Sequence, residues 1–174
     1  KGKNRIVTGA AGGLGRSIAE SFASCGANIL LTDIHSKEKA LNNISKNNIK
    51  KHGIKSHVLL LDISNRCDVE ENLKISLRSF SKKIDCLVNF AAIYHKNFWD
   101  PVGNKNIEDW DKIINVNLFG TLNVIRQILP KMVKQKSGNI ISITTDSGID
   151  TIPGESAYGI SKAAINKLMQ YLAR

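Results

Sequence analysis

The stretch Thr8-Gly9-Ala10-Ala11-Gly12-Gly13-Leu14-Gly15 constrains this chain more than any other. It follows a short apolar run, Arg5-Ile6-Val7, of strand length, and it precedes Arg16 to Ala23, where apolar residues recur at helical spacing. Strand, glycine turn and helix therefore come in that order. Glycine lets the backbone turn tightly and lets a ligand come within contact distance. The first turn of the helix offers unpaired N–H groups and the positive end of the helix dipole, both suited to a phosphate. The frequent G-x-G-x-x-G spacing is absent; the pattern is Gly9, Gly13, Gly15 behind a threonine. A glycine turn used only for its geometry is the competing reading.

The rest of the chain repeats strand and helix. Asn28 to Asp33 reads as a second buried strand ending in a carboxylate, and 36–52 as a polar, lysine-rich surface helix. Ser56 to Leu61 is a third strand before Asp62, Cys67 to Phe80 a helix, and Asp85 to Phe90 a fourth strand. A polar loop from Ile93 to Lys105 carries Tyr94, Phe98 and Trp99. A long helix covers about 107–134, with Pro130 expected to kink or end it and Ser137-Gly138 to break it. Asn139 to Thr144 is a fifth strand and Ala157 to Leu172 a last helix. Such alternation predicts one α/β domain over 1–174, a parallel sheet with helices on both faces. Near-continuous apolar strands such as Val58-Leu59-Leu60-Leu61 agree with burial on both sides. Ligands of such sheets lie beyond the strand carboxyl ends, where the strand order reverses.

Composition narrows the partners. The net charge is +10, from 25 basic and 15 acidic residues, but the lysines are scattered and not interleaved with aromatics. A solvated basic exterior explains them better than a nucleic-acid surface. No apolar run approaches a membrane span, and no secretory signal is visible. Cys25, Cys67 and Cys86 form no C-x-x-C, and the four histidines form no i, i+4 pair, so no metal site is expected. Reduced thiols point to a cytoplasmic protein.

Two sets of residues bear on chemistry. Asp33 ends the second strand, where a carboxylate accepts hydrogen bonds from adenosine ribose hydroxyls and repels a 2′-phosphate. That favours NAD over NADP, although His35, Lys37 and Lys39 lie close enough to soften the preference. A strand-end aspartate capping the next helix is the plainer alternative. Tyr158 and Lys162 lie four residues apart at the start of a helix and project from one face. A tyrosine titrates near pH 10; a neighbouring ammonium is expected to lower that value and make a general acid/base. An ordinary aromatic–aliphatic helix pair is the bland reading.

The glycine turn, Asp62-Ile63 after the third strand, Asn117-Leu118 in the long helix, and Tyr158-Gly159-Ile160-Ser161-Lys162 after the fifth strand occur in one order. In that order and context the chain resembles the short-chain dehydrogenase/reductase family along essentially its whole length. The resemblance implies a Rossmann-type, doubly wound parallel sheet that binds a dinucleotide, NAD or, less readily, NADP. It implies reversible hydride transfer between NAD(H) and an alcohol or carbonyl substrate. Tyr158 matches the catalytic acid/base, Lys162 the residue that lowers its pKa and holds the nicotinamide ribose, and Asn117 the anchor of a relay water. Asp62 and Ile63 match positions contacting adenine; Gly9, Gly13, Leu14, Gly15, Asn89 and Ala91 belong to the cofactor loops. Thr145 stands where the family usually has serine, thirteen residues before the tyrosine. It keeps the hydroxyl and adds a methyl that stiffens χ1; Ser147 is a weaker stand-in.

Asn89-Phe90-Ala91-Ala92 departs from the family's Asn-Asn-Ala-Gly and adds a methyl at Ala92. The family also continues with further strands and a substrate loop, so a chain running from Lys1 to Arg174 is expected to be a fragment. Asp146 and Asp150 hint at a polyhydroxy substrate, although solvated loop residues explain them better, while an acyl-thioester (acyl carrier protein) reductase and a non-catalytic dinucleotide-binding protein stay open. The resemblance also implies a homodimer or homotetramer through the long helix and the last helix, where Ala157, Gly159, Ala163 and Ala164 would permit close approach.

Overall fold

In the computed structural model, which describes residues 1–81, 83–94, 102 and 106–174, the apolar runs become strands β1 (Asn4–Thr8), β2 (Asn28–Asp33), β3 (Ser56–Leu60), β4 (Cys86–Asn89) and β5 (Asn139–Ser142). All four pairings are parallel, in the order β3-β2-β1-β4-β5. The chain winds outward from β1 to β3, then returns to place β4 on the other side of β1. That reversal opens a crevice at the carboxyl ends of β1 and β4.

Side chains alternate along each strand and feed two cores. On one face Ile6, Leu30 and Leu87 meet Leu73, Leu77, Val124, Ile125 and Ile128. On the other, Val7, Ile29, Leu31 and Val88 meet Ala19, Ala23, Leu41 and Ile44. Helices α1 (Gly13–Ser24) and α2 (Glu38–His52) cover the second face. The first face is covered by α3 (Arg66–Asp68) with α4 (Lys74–Phe80), and by α5 (Ile107–Ile114) with α6 (Thr121–Gln135). Helix α7 (Ser156–Leu172) sends Leu168 and Leu172 to that face. Each fully buried Leu or Ile contributes about 1.5–3 kcal/mol, so both layers are held by apolar burial.

The structure departs from the sequence reading in three places. Wider π turns, Val69–Leu73 and Asn115–Gly120, interrupt the helices expected over Cys67–Phe80 and 107–134. Pro130 does not end α6, which runs on to Gln135. Pro130 and Arg126 both face solvent, so water can meet the carbonyl that proline leaves without a donor, while buried Ile128 and Met132 hold the helix on either side. The helix then stops at Lys136, which adopts φ 53°, one residue before Ser137-Gly138. β5 ends at Ser142 rather than Thr144 because the Ile143 carbonyl is taken by a side chain. Phe98 and Trp99 lie outside the described residues.

Candidate active site

The crevice is built first from backbone. Gly9 has φ +64°, and a Cβ there would lie 2.7 Å from the Ala91 nitrogen. A Cβ on Gly15 would run into the Gly9 carbonyl. Both positions therefore require glycine. Thr8 Oγ1 accepts from the Phe90 and Ala91 nitrogens at 3.2 Å each and ties the end of β1 to the loop after β4. Gly13 is different: a Cβ there would meet nothing within 4 Å. Helix α1 opens beside it with no side-chain cap and no acidic residue in its first turn, and Leu14 is exposed. Its first N–H groups are thus open to an anion.

A cavity of about 460 Å³ lies in the crevice. Of the cofactor candidates named above, Gly9, Asp33, Asp62, Ile63 and Ala91 line it; Lys37 lines it too. The Asp33 carboxylate accepts from Ala11 N at 3.0 Å and Ile34 N at 2.9 Å, so it pins the glycine loop to the end of β2. Asp62 accepts from both the nitrogen and the hydroxyl of Ser64. Ile63 is seated by Gly120, where a Cβ would come within 2.8 Å of Ile63 Cγ1. Gly13, Leu14, Gly15 and Asn89 do not line this cavity. Gly15 packs beneath Gly9, and Asn89 is buried at the end of β4, where Nδ2 donates to Ser142 Oγ at 3.1 Å. A more open groove of about 750 Å³ follows the unpaired edge of β5, lined by Met132, Ile140, Met169 and Leu172, and holds no acid–base pair.

The second half of the site stands on α7. Lys162 is 5% exposed, and its ammonium donates to Ile143 O at 2.9 Å, just past β5. It lies 5.5 Å from the ring centroid of half-buried Tyr158. Tyr94 meets that ring edge to face, with centroids 6.1 Å apart. Tyr158 is thus at the carboxyl edge of the sheet, outside the two cores.

One expectation is corrected. Lys162 does not lower the Tyr158 pKa in this state; burial, then Glu155 and Tyr94, push the phenol above its ordinary value. The ammonium sits over the ring face and gives its hydrogen bond to Ile143 O instead of the phenol. Burial also pushes Lys162 down. Each group, desolvated, is driven toward its neutral form.

Asn117 is brought to the same place by the π turn. It is 1% exposed. Its Oδ1 accepts from Ile93 N at 2.8 Å, and its Nδ2 donates to Ile93 O at 2.9 Å and to Ser161 Oγ at 3.0 Å. The extra residue of the π turn shifts Asn117 relative to a regular α-helix, and such turns are common at functional sites. Thr145 Oγ1 donates to Asp146 Oδ1 at 2.7 Å. That bond, with one from Ser147 N, holds the Asp146 carboxyl below its ordinary value. Ser147 is buried, and its carbonyl would lie 2.5 Å from a Cβ on Gly159. Gly159 is therefore small so that the turn at Asp146–Gly148 can pack against α7. Ala157 is buried as well, so neither is free to receive a second subunit. Sequence reasoning missed Thr8, Lys37 as a cavity wall, the Ile143 carbonyl and Ser161. Lys37 left a signal in its closeness to Asp33, and Thr8 and Ser161 in the motifs that contain them.

The short chain dehydrogenase family matches residues 3–174. This chain belongs to that family. An uncharacterized oxidoreductase of Staphylococcus epidermidis is 33% identical over 174 residues, which are 100% of this chain and 71% of that protein. An alcohol dehydrogenase of the archaeon Thermococcus sibiricus, complexed with 5-hydroxy-NADP, superposes with TM-score 0.89 at 25% identity, covering 99% of this chain and 70% of that one. NAD+-bound xylitol dehydrogenase superposes with TM-score 0.89 at 26% identity, covering 99% and 64%. The family is one of oxidoreductases, and its structural relatives bind NAD or NADP. Among the described residues no helix is long and apolar enough to cross a membrane.

Proposed function

We propose that this chain carries the core of an NAD-dependent dehydrogenase that interconverts an alcohol and its carbonyl compound. The observation that carries this reading is the buried Lys162 ammonium 5.5 Å from the Tyr158 ring centroid, at the same sheet edge as the glycine crevice. Three features support a dinucleotide there: Gly9 leaves no room for a Cβ, the first turn of α1 is uncapped, and Asp33 lines the cavity as an acceptor that a ribose hydroxyl could use. Asp33 favours NAD, while Lys37 on the same wall tempers the repulsion of a 2′-phosphate.

When bound, NAD supplies the hydride acceptor. The chain's own residues manage the proton. Tyr158 Oη, as the phenolate, takes the hydroxyl proton of the alcohol. Thr145 orients the substrate oxygen by donating its hydroxyl hydrogen to it, in exchange for the bond it gives Asp146 in the free protein. Lys162 holds positive charge beside that phenolate until the proton arrives. The side-chain donors of Asn117 are spent on Ile93 and Ser161, so a relay water would meet its backbone carbonyl.

The test is Tyr158→Phe in the full-length protein, assayed with NAD against a panel of secondary alcohols. Turnover is expected to fall at least about a hundredfold, with NADH affinity kept. Normal turnover by the variant would remove Tyr158 from the chemistry. NADH binding without turnover on any alcohol or carbonyl by the wild type would favour a non-catalytic dinucleotide-binding protein.

A further inference from the structure

We propose that Ser161 is a positioning residue for this reaction, locking Asn117 to the first turn of α7 that carries Tyr158; this rests on the assignment of Tyr158 as the acid/base. Ser161 is 0% exposed. Its hydroxyl donates to Tyr158 O at 2.7 Å and accepts from Asn117 Nδ2 at 3.0 Å, across 44 residues of chain. Directions along this path are fixed. Asn117 Oδ1 must accept from Ile93 N and Nδ2 must donate to Ile93 O, so the amide has one orientation. Its remaining N–H can only point at Ser161 Oγ, and the one hydrogen of Ser161 then goes to Tyr158 O. Four groups form one line: the Ile93 backbone, Asn117, Ser161 and the Tyr158 carbonyl.

A serine that only back-bonds within its helix would need nothing more than the bond to Tyr158 O. The bond from Asn117 is what joins three elements. Ile93 lines the cofactor cavity and adjoins Tyr94, whose ring meets Tyr158. Asn117 sits on the π turn, and Val116 beside it lines the same cavity. Ser161 therefore couples the wall of the cofactor cavity to the helix bearing Tyr158 and Lys162. Neighbouring hydrogen bonds in a buried chain polarise and strengthen one another. Removing the middle hydroxyl leaves an Asn117 N–H and the Tyr158 carbonyl turn unrestrained, and the phenol drifts from the geometry that transfer demands.

The experiment compares full-length wild type, Ser161→Ala and Ser161→Cys, using NAD and the secondary alcohol that the wild type oxidises fastest. Ser161→Ala is expected to lower kcat about tenfold or more, with KM and NADH affinity within about twofold. The acidic limb of its pH–rate profile, where the basic phenolate is lost to protonation, should move to higher pH, because a loosened α7 holds Lys162 less firmly beside the phenolate in the working complex. Ser161→Cys, with a weak S–H donor and a similar size, should fall between the two. Ser161→Ala combined with Asn117→Ala should be no slower than Asn117→Ala alone, since both break one path. An unchanged kcat and pH profile in Ser161→Ala would overturn the proposal, as would a loss of NADH affinity that matches the loss of kcat. If Ser161→Ala does not fold, an unchanged kcat and profile in Ser161→Cys overturns it equally. Full turnover by Tyr158→Phe would instead overturn the acid/base assignment itself.

Discussion

Under the glycine loop, position is enforced by backbone meeting backbone; around Tyr158 it is enforced by hydrogen bonds between side chains and carbonyls. At the first place Gly9 and Gly15 allow contacts that no other residue permits, over strands whose apolar residues are fully buried. At the second, β5 is an edge strand with Ile141 exposed. Lys162, Asn117 and Ser161 are held there by one to three polar bonds each. The difference follows from the task. A phosphate seat needs close approach and a fixed dipole, which sterics supply. An acid/base must change protonation, so its surroundings must be polar and answer to charge.

The sharpest way to break this contrast is Gly9→Ala. The variant pays for a left-handed backbone and for a Cβ 2.7 Å from Ala91 N, a combined cost of about 3 kcal/mol or more. Urea unfolding measures it; a loss under about 1 kcal/mol would show that the loop yields and that sterics do not fix it.

Gly13→Ala separates packing from binding within the same loop. With nothing within 4 Å of its Cβ, stability should stay within about 0.5 kcal/mol. NADH affinity should nevertheless drop about tenfold, or about 1.4 kcal/mol, because the methyl stands where a phosphate approaches the first turn of α1. Undiminished binding would move the phosphate seat elsewhere.

The smallest effect is spectroscopic. In the cofactor-free protein the Tyr158 phenol titrates above its ordinary value, because burial, Glu155 and Tyr94 all disfavour the phenolate. The folded state then keeps a proton that the unfolded chain loses near pH 10. Its contribution to stability is full below that pH and is lost as pH rises through the higher folded value. Tyrosinate absorbance, wild type minus Tyr158→Phe, should therefore appear late. Adding NAD, with its cationic nicotinamide, should bring it earlier. No change on adding NAD would mean that the second region does not sense occupation of the first.

Legibility in the sequence tracks the same division. β2 runs from Asn28 to Asp33 as its apolar run predicts, and α7 begins at Ser156, one residue from where its periodicity starts. The glycine turn was readable because a steric requirement leaves a residue type behind. The π turn at Asn115–Gly120 was not, since its residues also satisfy helical spacing and the contacts Asn117 makes there, to Ile93 and Ser161, are far away in the chain. The direction of the Tyr158 shift was misread because an i, i+4 spacing fixes the face but not where the lysine spends its hydrogen bond.

By itself, then, the sequence determined the alternation of strand and helix, the glycine seat, and the residue types at the sheet edge. Periodicity and steric necessity are local properties, written in order along the chain. The tertiary structure decided what those types do: that Ile143 takes the Lys162 ammonium, that Gly159 makes room for the Ser147 carbonyl, and that Ser161 links Asn117 to Tyr158. Each of these depends on groups far apart in the chain meeting at hydrogen-bond distance in a place without water, and no local pattern encodes such a meeting.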